Sequence, residues 1–183
     1  MRKSKGFTLI EIIMIVLITA LLSIAGIHIM KFTLQNSFYL PNQVQSDLVA
    51  ADALEIIIEG DSSAKGLRFC ENVTTATATQ VVVTNQDGIA IAYRLDNGTG
   101  KLYRKIGGAA EVMIPYYMAS DMAIAGAGGT LFTYYDSADA VTATLANIRR
   151  INIDLIAKQG AGSSDKYEGF SHQSTSVKVN KYL

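Results

Sequence analysis

Cysteine, histidine and proline are scarce in this chain, and each shortage removes a class of explanation. Cys70 is the one cysteine among 183 residues, so no intramolecular disulfide exists, and a reduced thiol packed as a small apolar side chain is the expected state. Two histidines, His28 and His172, with that one distant cysteine have neither metal-ligand nor catalytic-triad spacing. No catalytic residue, metal or cofactor is therefore assigned. Basic residues are in no surplus either, 16 against 16 acidic, and no basic stripe marks a nucleic-acid partner. The run Gly126-Ala-Gly128-Gly129-Thr130 lacks the GxxxxGK[ST] spacing of a phosphate loop and reads as a flexible loop. Asp87, Asp96, Asp136 and Asp139 sit in turn-like stretches without the twelve-residue pattern of a calcium loop, so turn chemistry accounts for them.

What the chain does have is concentrated at its start. Met1-Arg-Lys-Ser-Lys-Gly6 is a short basic head, and Phe7-Thr-Leu-Ile-Glu11 opens a nearly unbroken apolar run to Met30. As an α-helix that run measures about 36 Å, enough to cross a hydrocarbon core of about 30 Å with some tilt. Arg2, Lys3 and Lys5 precede it with no acid among them, so the N-terminus is expected in the cytoplasm and the bulk of the chain outside it. An ordinary secretory signal is cut after its apolar region, whereas here the small residue, Gly6, stands before it. Cleavage there removes the head and keeps the helix. Glu11 is the anomaly, because a carboxylate inside a spanning helix costs about 2.5–3.5 kcal/mol unless something pairs with it. A single-pass anchor with a chance glutamate snorkelling to the headgroups is the plainer alternative.

The segment Lys5-Gly6-Phe7-Thr8-Leu9-Ile10-Glu11 resembles the class III signal of the type IV pilin and pseudopilin superfamily. That resemblance implies a leader at residues 1–6, cleavage by prepilin peptidase between Gly6 and Phe7, and N-methylation of Phe7. It also implies that Glu11 meets the N-terminal amine of Phe7, of its own chain or of a neighbour, as subunits leave the bilayer and pack. A low dielectric strengthens such an ion pair and penalises any register that leaves the charge alone. Losing Arg2, Lys3 and Lys5 leaves 13 basic against 16 acidic residues, a formal charge of −3.

Beyond the apolar run, Pro41 disfavours helical geometry at Leu40 and removes a backbone donor, so a helix break or kink is expected there. Val44, Leu48, Ala51, Leu54 and Ile58 then recur at helical spacing, a stripe expected to lie on a sheet until Gly60-Asp61-Ser62-Ser63 ends the helix. The expected organisation is a helix for membrane and assembly over 7–40, a second helical half over 41–60, and a globular β-rich domain over 61–183. From Thr79 the period changes to two. Gln80–Thr84, Ile89–Leu95 and Lys101–Ile106, separated by Asn85-Gln-Asp-Gly88 and Asp96-Asn-Gly-Thr-Gly100, read as a three-stranded meander. Leu131–Tyr135, the alternation around Ile151, Ile153 and Leu155, and Val177 with Val179 supply further strands. The fold class is α+β, a long N-terminal helix packed on an antiparallel sheet.

The order of these strands, ending in Thr175-Ser-Val177-Lys-Val179-Asn180, is similar to the layout of larger minor pilins and J-type minor pseudopilins. In those relatives the end reads Ser-Val-basic-apolar-basic-Asn; Lys178 and Asn180 match, and the second basic residue is displaced to Lys181. The resemblance implies a minor pilin or pseudopilin at or near the tip of a type IV pilus or type II secretion fibre. Its partners are then other pilin or pseudopilin subunits, prepilin peptidase and an inner-membrane assembly platform. A major pilin building the fibre is the second reading, and a membrane-anchored periplasmic enzyme or binding domain is a third of another class.

Overall fold

The computed structural model describes residues 7–160 and 169–179. One α-helix, α1 (Leu9–Ile58), is followed among the described residues by nine strands. These are β1 (Cys70–Ala76), β2 (Gln80–Asn85), β3 (Ala90–Asp96), β4 (Lys101–Ile106), β5 (Val112–Ile114), β6 (Met122–Gly126), β7 (Phe132–Tyr135), β8 (Arg150–Gln159) and β9 (Gly169–Lys178). The chain forms two compact units, one up to Tyr39 and one from Leu40 onward.

In the first unit every residue from Phe7 to Leu34 is exposed. The helix there is long and apolar enough to cross a membrane. Pro41 does not break α1, which is helical on both sides of it. A proline in a helix interior deletes one amide donor and crowds the preceding turn, but here the hydrogen bonds of many flanking turns hold the helix across that single loss. The expected break at Pro41 is thus corrected.

In the second unit the helix packs on the expected antiparallel strands, which form two sheets. The first runs β1-β2-β3-β4-β5 in sequence order. Its centre is the expected meander, with Val81 opposite Tyr93 and Leu95 opposite Leu102. In the second sheet β8 is central: β9 pairs along its whole length, while β7 and β6 pair with its first and second halves. Alternation buries Ile151, Ile153, Leu155 and Ala157 and turns Arg150, Asn152, Asp154 and Lys158 outward. Tyr134 on β7 ties the sheets together, its hydroxyl lying 2.9 Å from the carbonyl oxygens of both Thr77 and Gln80 at the β1–β2 turn.

The face of α1 that meets the sheets differs from the expected stripe. Ser46, Val49, Ala50, Ala53, Leu54 and Ile57 are buried, whereas Val44 and Leu48 are more than half exposed and Ala51 is exposed. The sequence holds two apolar stripes on adjoining faces, and periodicity alone does not choose between them. Packing chose the one that pairs small Ala50 and Ala53 with large Leu54 and Ile57. Fully burying an aliphatic side chain such as Ile57 contributes about 1.5–3 kcal/mol. The helix ends where expected, since Gly60 has φ +88° and its amide still bonds the Ile56 carbonyl at 3.1 Å.

Candidate functional site

Gly6 lies outside the described residues, so the site is built from Phe7 onward. Phe7 is 74% exposed and precedes the helix. Thr8 occupies the position before the first helical residue and Glu11 the third helical position. The Thr8 amide donates to Glu11 Oε2 at 2.8 Å, the Thr8 hydroxyl donates to the same oxygen at 2.9 Å, and the Glu11 amide donates to Thr8 Oγ1 at 3.4 Å. This reciprocal arrangement is a capping box, which satisfies two amides that an apolar environment would otherwise leave without partners. A carboxylate in the first turn also lies favourably in the field of the helix dipole.

Both bonds accepted by the Glu11 carboxylate fall on Oε2. Oε1 has no partner among the described residues. The carboxylate is therefore aimed by its own chain and still keeps an oxygen for a donor from elsewhere. The sequence reading singled out Glu11 and Phe7 and passed over Thr8, although Thr8-x-x-Glu11 before an apolar run is a legible signal for this cap.

Other residues singled out from sequence sit on the helix, in the core and in turns. His28 is exposed on α1, and Cys70 is buried outside any disulfide. Asp96 Oδ1 accepts the Gly98 amide at 2.9 Å, and Asp136 Oδ1 accepts the amides of Ala138 at 2.8 Å and Ala140 at 3.0 Å, so both carboxylates brace their own turns. Asp87 pairs with Lys65 at 3.3 Å and Asp139 with Arg150 at 3.0 Å. Among the described residues no three His, Cys, Asp or Glu side chains group as a metal centre. Gly126–Thr130, expected as a flexible loop, is a hydrogen-bonded turn closed by the Ala127–Thr130 bridge, with Gly128 and Gly129 at φ +61° and +83°. Glycine is what makes it tight: a Cβ on Gly126 would lie 2.3 Å from the Leu131 amide nitrogen.

One buried ion pair was not read from sequence. The Arg104 side chain is 2% exposed, and its Nη2 bonds Asp61 Oδ2 and the Tyr116 hydroxyl, the latter at 2.7 Å. Tyr116 in turn donates to Asp61 at 2.9 Å. Partial burial works to raise the Asp61 pKa, but the Arg104 guanidinium, the Ser63 amide and the Tyr116 hydroxyl outweigh it and hold the carboxyl well below its usual range. This triad joins the residues just after α1 to β4 and to the loop after β5.

Residues 1–27 match the family described as the prokaryotic N-terminal methylation motif. No curated protein and no solved structure matches the chain. The matched segment covers the start of α1, and that long, exposed apolar helix fits a single-pass inner-membrane anchor.

Proposed function

We propose that this chain, which carries the N-terminal methylation motif of the type IV pilin and pseudopilin superfamily, is a minor pilin or pseudopilin. It is made with a cytoplasmic leader, cut by prepilin peptidase between Gly6 and Phe7, methylated on Phe7, and drawn from the membrane into the tip region of a fibre with other subunits. Its work is structural. An assembly platform in the inner membrane supplies the force, and the globular domain presents contacts to neighbours on the far side of that membrane.

The observation that carries this reading is the Glu11 carboxylate, held on one oxygen by Thr8 and open on the other. In an apolar bundle an unpaired carboxylate is costly, and an amine brought to Oε1 offsets that cost only when neighbouring helices stand in the right register. Two measurements test the reading. Mass spectrometry of the mature protein is expected to find methylated Phe7 at the N-terminus, and an intact Met1 in the membrane-extracted protein rejects the processing step. Shearing the cell surface, or isolating overproduced fibres, is expected to recover the chain together with other subunits of the same superfamily.

A further inference from the structure

Among the described residues β9 is the edge of its sheet, and little protects it. It pairs with β8 over ten residues, Gly169–Lys178, in unbroken register, with no proline and no bulge. Such an edge is a template for another strand unless something blunts it. The parity of the ladder says which backbone groups are open. The Val179 amide bonds the Arg149 carbonyl at 2.9 Å, so the odd-numbered residues of β9 bond β8, and the even-numbered ones direct their amides and carbonyls to the other side. The first of these, Phe170, is already filled: Gln43 gives it both a donor and an acceptor, as a neighbouring strand would. His172, Ser174, Ser176 and Lys178 are exposed, and their outward backbone groups bond nothing among the described residues.

Beside the far end of this edge lies a groove of about 300 Å³, lined by Thr175, Ser176, Val177 and Lys178 with Ile58 and Arg68. Its charge favours a partner of one sign. Arg68 pairs with Glu59 at 2.5 Å. The ladder sets Lys178 directly opposite Arg150, and by the parity above this is a pair without mutual hydrogen bonds, where side chains stand close and like charges repel. Asp139 pairs with Arg150 at 3.0 Å, and no carboxylate among the described residues pairs with Lys178. A carboxylate on a strand added beside β9 would stand next to Lys178 and offset that repulsion.

We propose that the edge of β9 from His172 to Lys178 takes an extended acidic segment of a partner protein as an added strand. The inference goes beyond the reading as a fibre subunit and holds whether or not the partner belongs to a fibre. Main-chain hydrogen bonds to His172, Ser174, Ser176 and Lys178 give the affinity, and a carboxylate beside Lys178 and Arg68 gives the selectivity. A polar strand specifies its register weakly by itself. Here the Gln43 side chain closes the edge at Phe170, and the two cations mark its other end. A second copy of β9 fits less well, since that strand contains lysine and no acid.

The test uses the full chain in detergent and residue-resolved amide hydrogen exchange. The probes are two capped peptides of alternating threonine and valine, one ending in a pair of glutamates and the other in a pair of lysines. The glutamate peptide is expected to slow exchange at His172, Ser174, Ser176 and Lys178 by about tenfold or more, and the lysine peptide is not. Lys178→Glu is expected to reverse that preference. Ser174→Pro removes an outward amide that β8 does not use, a position where an edge strand accepts proline, so thermal unfolding is expected to stay near wild type while the glutamate peptide no longer binds. Should Ser174→Pro unfold, the reversal in Lys178→Glu decides alone. No slowing by the glutamate peptide, equal slowing by both peptides, an unchanged preference in Lys178→Glu, or slowing that survives in folded Ser174→Pro overturns the proposal. So does slow exchange of these amides in the dilute chain alone, which means that the chain covers its own edge, or slowing that grows with chain concentration, which means that a second copy covers it.

Discussion

Thr8 and Glu11 divide one task at the start of α1. The threonine orients the carboxylate through its amide and hydroxyl, and the carboxylate retains Oε1 for a partner. Charge and capping can be separated by substitution. Glu11→Gln keeps a side chain that accepts the Thr8 amide, since glutamine serves in capping boxes too, but it carries no charge for an incoming amine. Incorporation into fibres is expected to fall in both Glu11→Gln and Glu11→Val, with insertion and cleavage intact in both. Thr8→Ala removes the hydroxyl and keeps the charge, costs about 0.5–2 kcal/mol of local helix stability, and is expected to retain most incorporation. Immunoblots of sheared and membrane fractions read all three, and wild-type incorporation of Glu11→Gln rejects the ion pair. The second residue-scale device is Arg104 with Asp61. Removing one member of a buried ion pair costs about 3–5 kcal/mol; with Asp61 partly exposed, the lower end applies to Asp61→Asn. The folded-state pKa of Asp61 lies below its unfolded value of 3.8. Its contribution is therefore present above about pH 4 and is lost as pH falls from there toward the folded pKa. Thermal unfolding of the detergent-solubilised chain is expected to show a gap between wild type and Asp61→Asn that narrows below pH 4.

At the scale of elements, the start of β9 meets α1 at a contact that tolerates little change. A Cβ on Gly169 would lie 2.0 Å from the Asn42 carbonyl oxygen, a backbone atom that cannot rotate away. Beside it, Gln43 works as a peptide surrogate, its Nε2 donating to the Phe170 carbonyl at 2.7 Å and its Oε1 accepting the Phe170 amide at 3.1 Å. Gly169→Ala is expected to destabilise by about 1–3 kcal/mol or more as strand and helix separate. Gln43→Ala, losing two exposed hydrogen bonds, is expected to cost about 1 kcal/mol. Equal thermal stability of Gly169→Ala and wild type would reject the contact. Neither contact is legible in the linear chain, because residues 42–43 and 169–170 meet only in the folded domain. What was legible had strong local signals: the meander β2-β3-β4, with its alternation and glycine-bearing turns, and the Gly60 stop of α1. Missed elements lacked such signals. The ladder of β1 is irregular between Cys70 and Asn72 and again between Val73 and Thr75. β6 is built largely of small residues; of β9 only the end at Val177 was legible, because the rest of that strand reads mostly as Ser, Thr, Gln and His and has no hydrophobic period to announce its pairing with β8. Choice of helix face failed for a related reason, since two apolar stripes competed and only the volumes of the opposing sheets decided.

For the whole molecule, the physical features bear on how many copies a fibre holds. An exposed, apolar N-terminal helix is compatible with copies of itself, which permits repeated self-stacking. Against this, the lone cysteine precludes the C-terminal loop disulfide found in many major pilins, and the strand order resembles the larger minor subunits. A subunit at the tip must offer lateral contacts to its neighbours but has no successor above it, so its outermost loops are free of packing demands. On this reading, isotope-dilution mass spectrometry of purified fibres is expected to find the chain far below the most abundant subunit, and immunogold to label one end of each fibre. Deleting the gene is expected to lower the number of fibres more than their length, because a tip subunit acts at initiation. Stoichiometry equal to the most abundant subunit, with label along the whole fibre, would instead make this chain the building material.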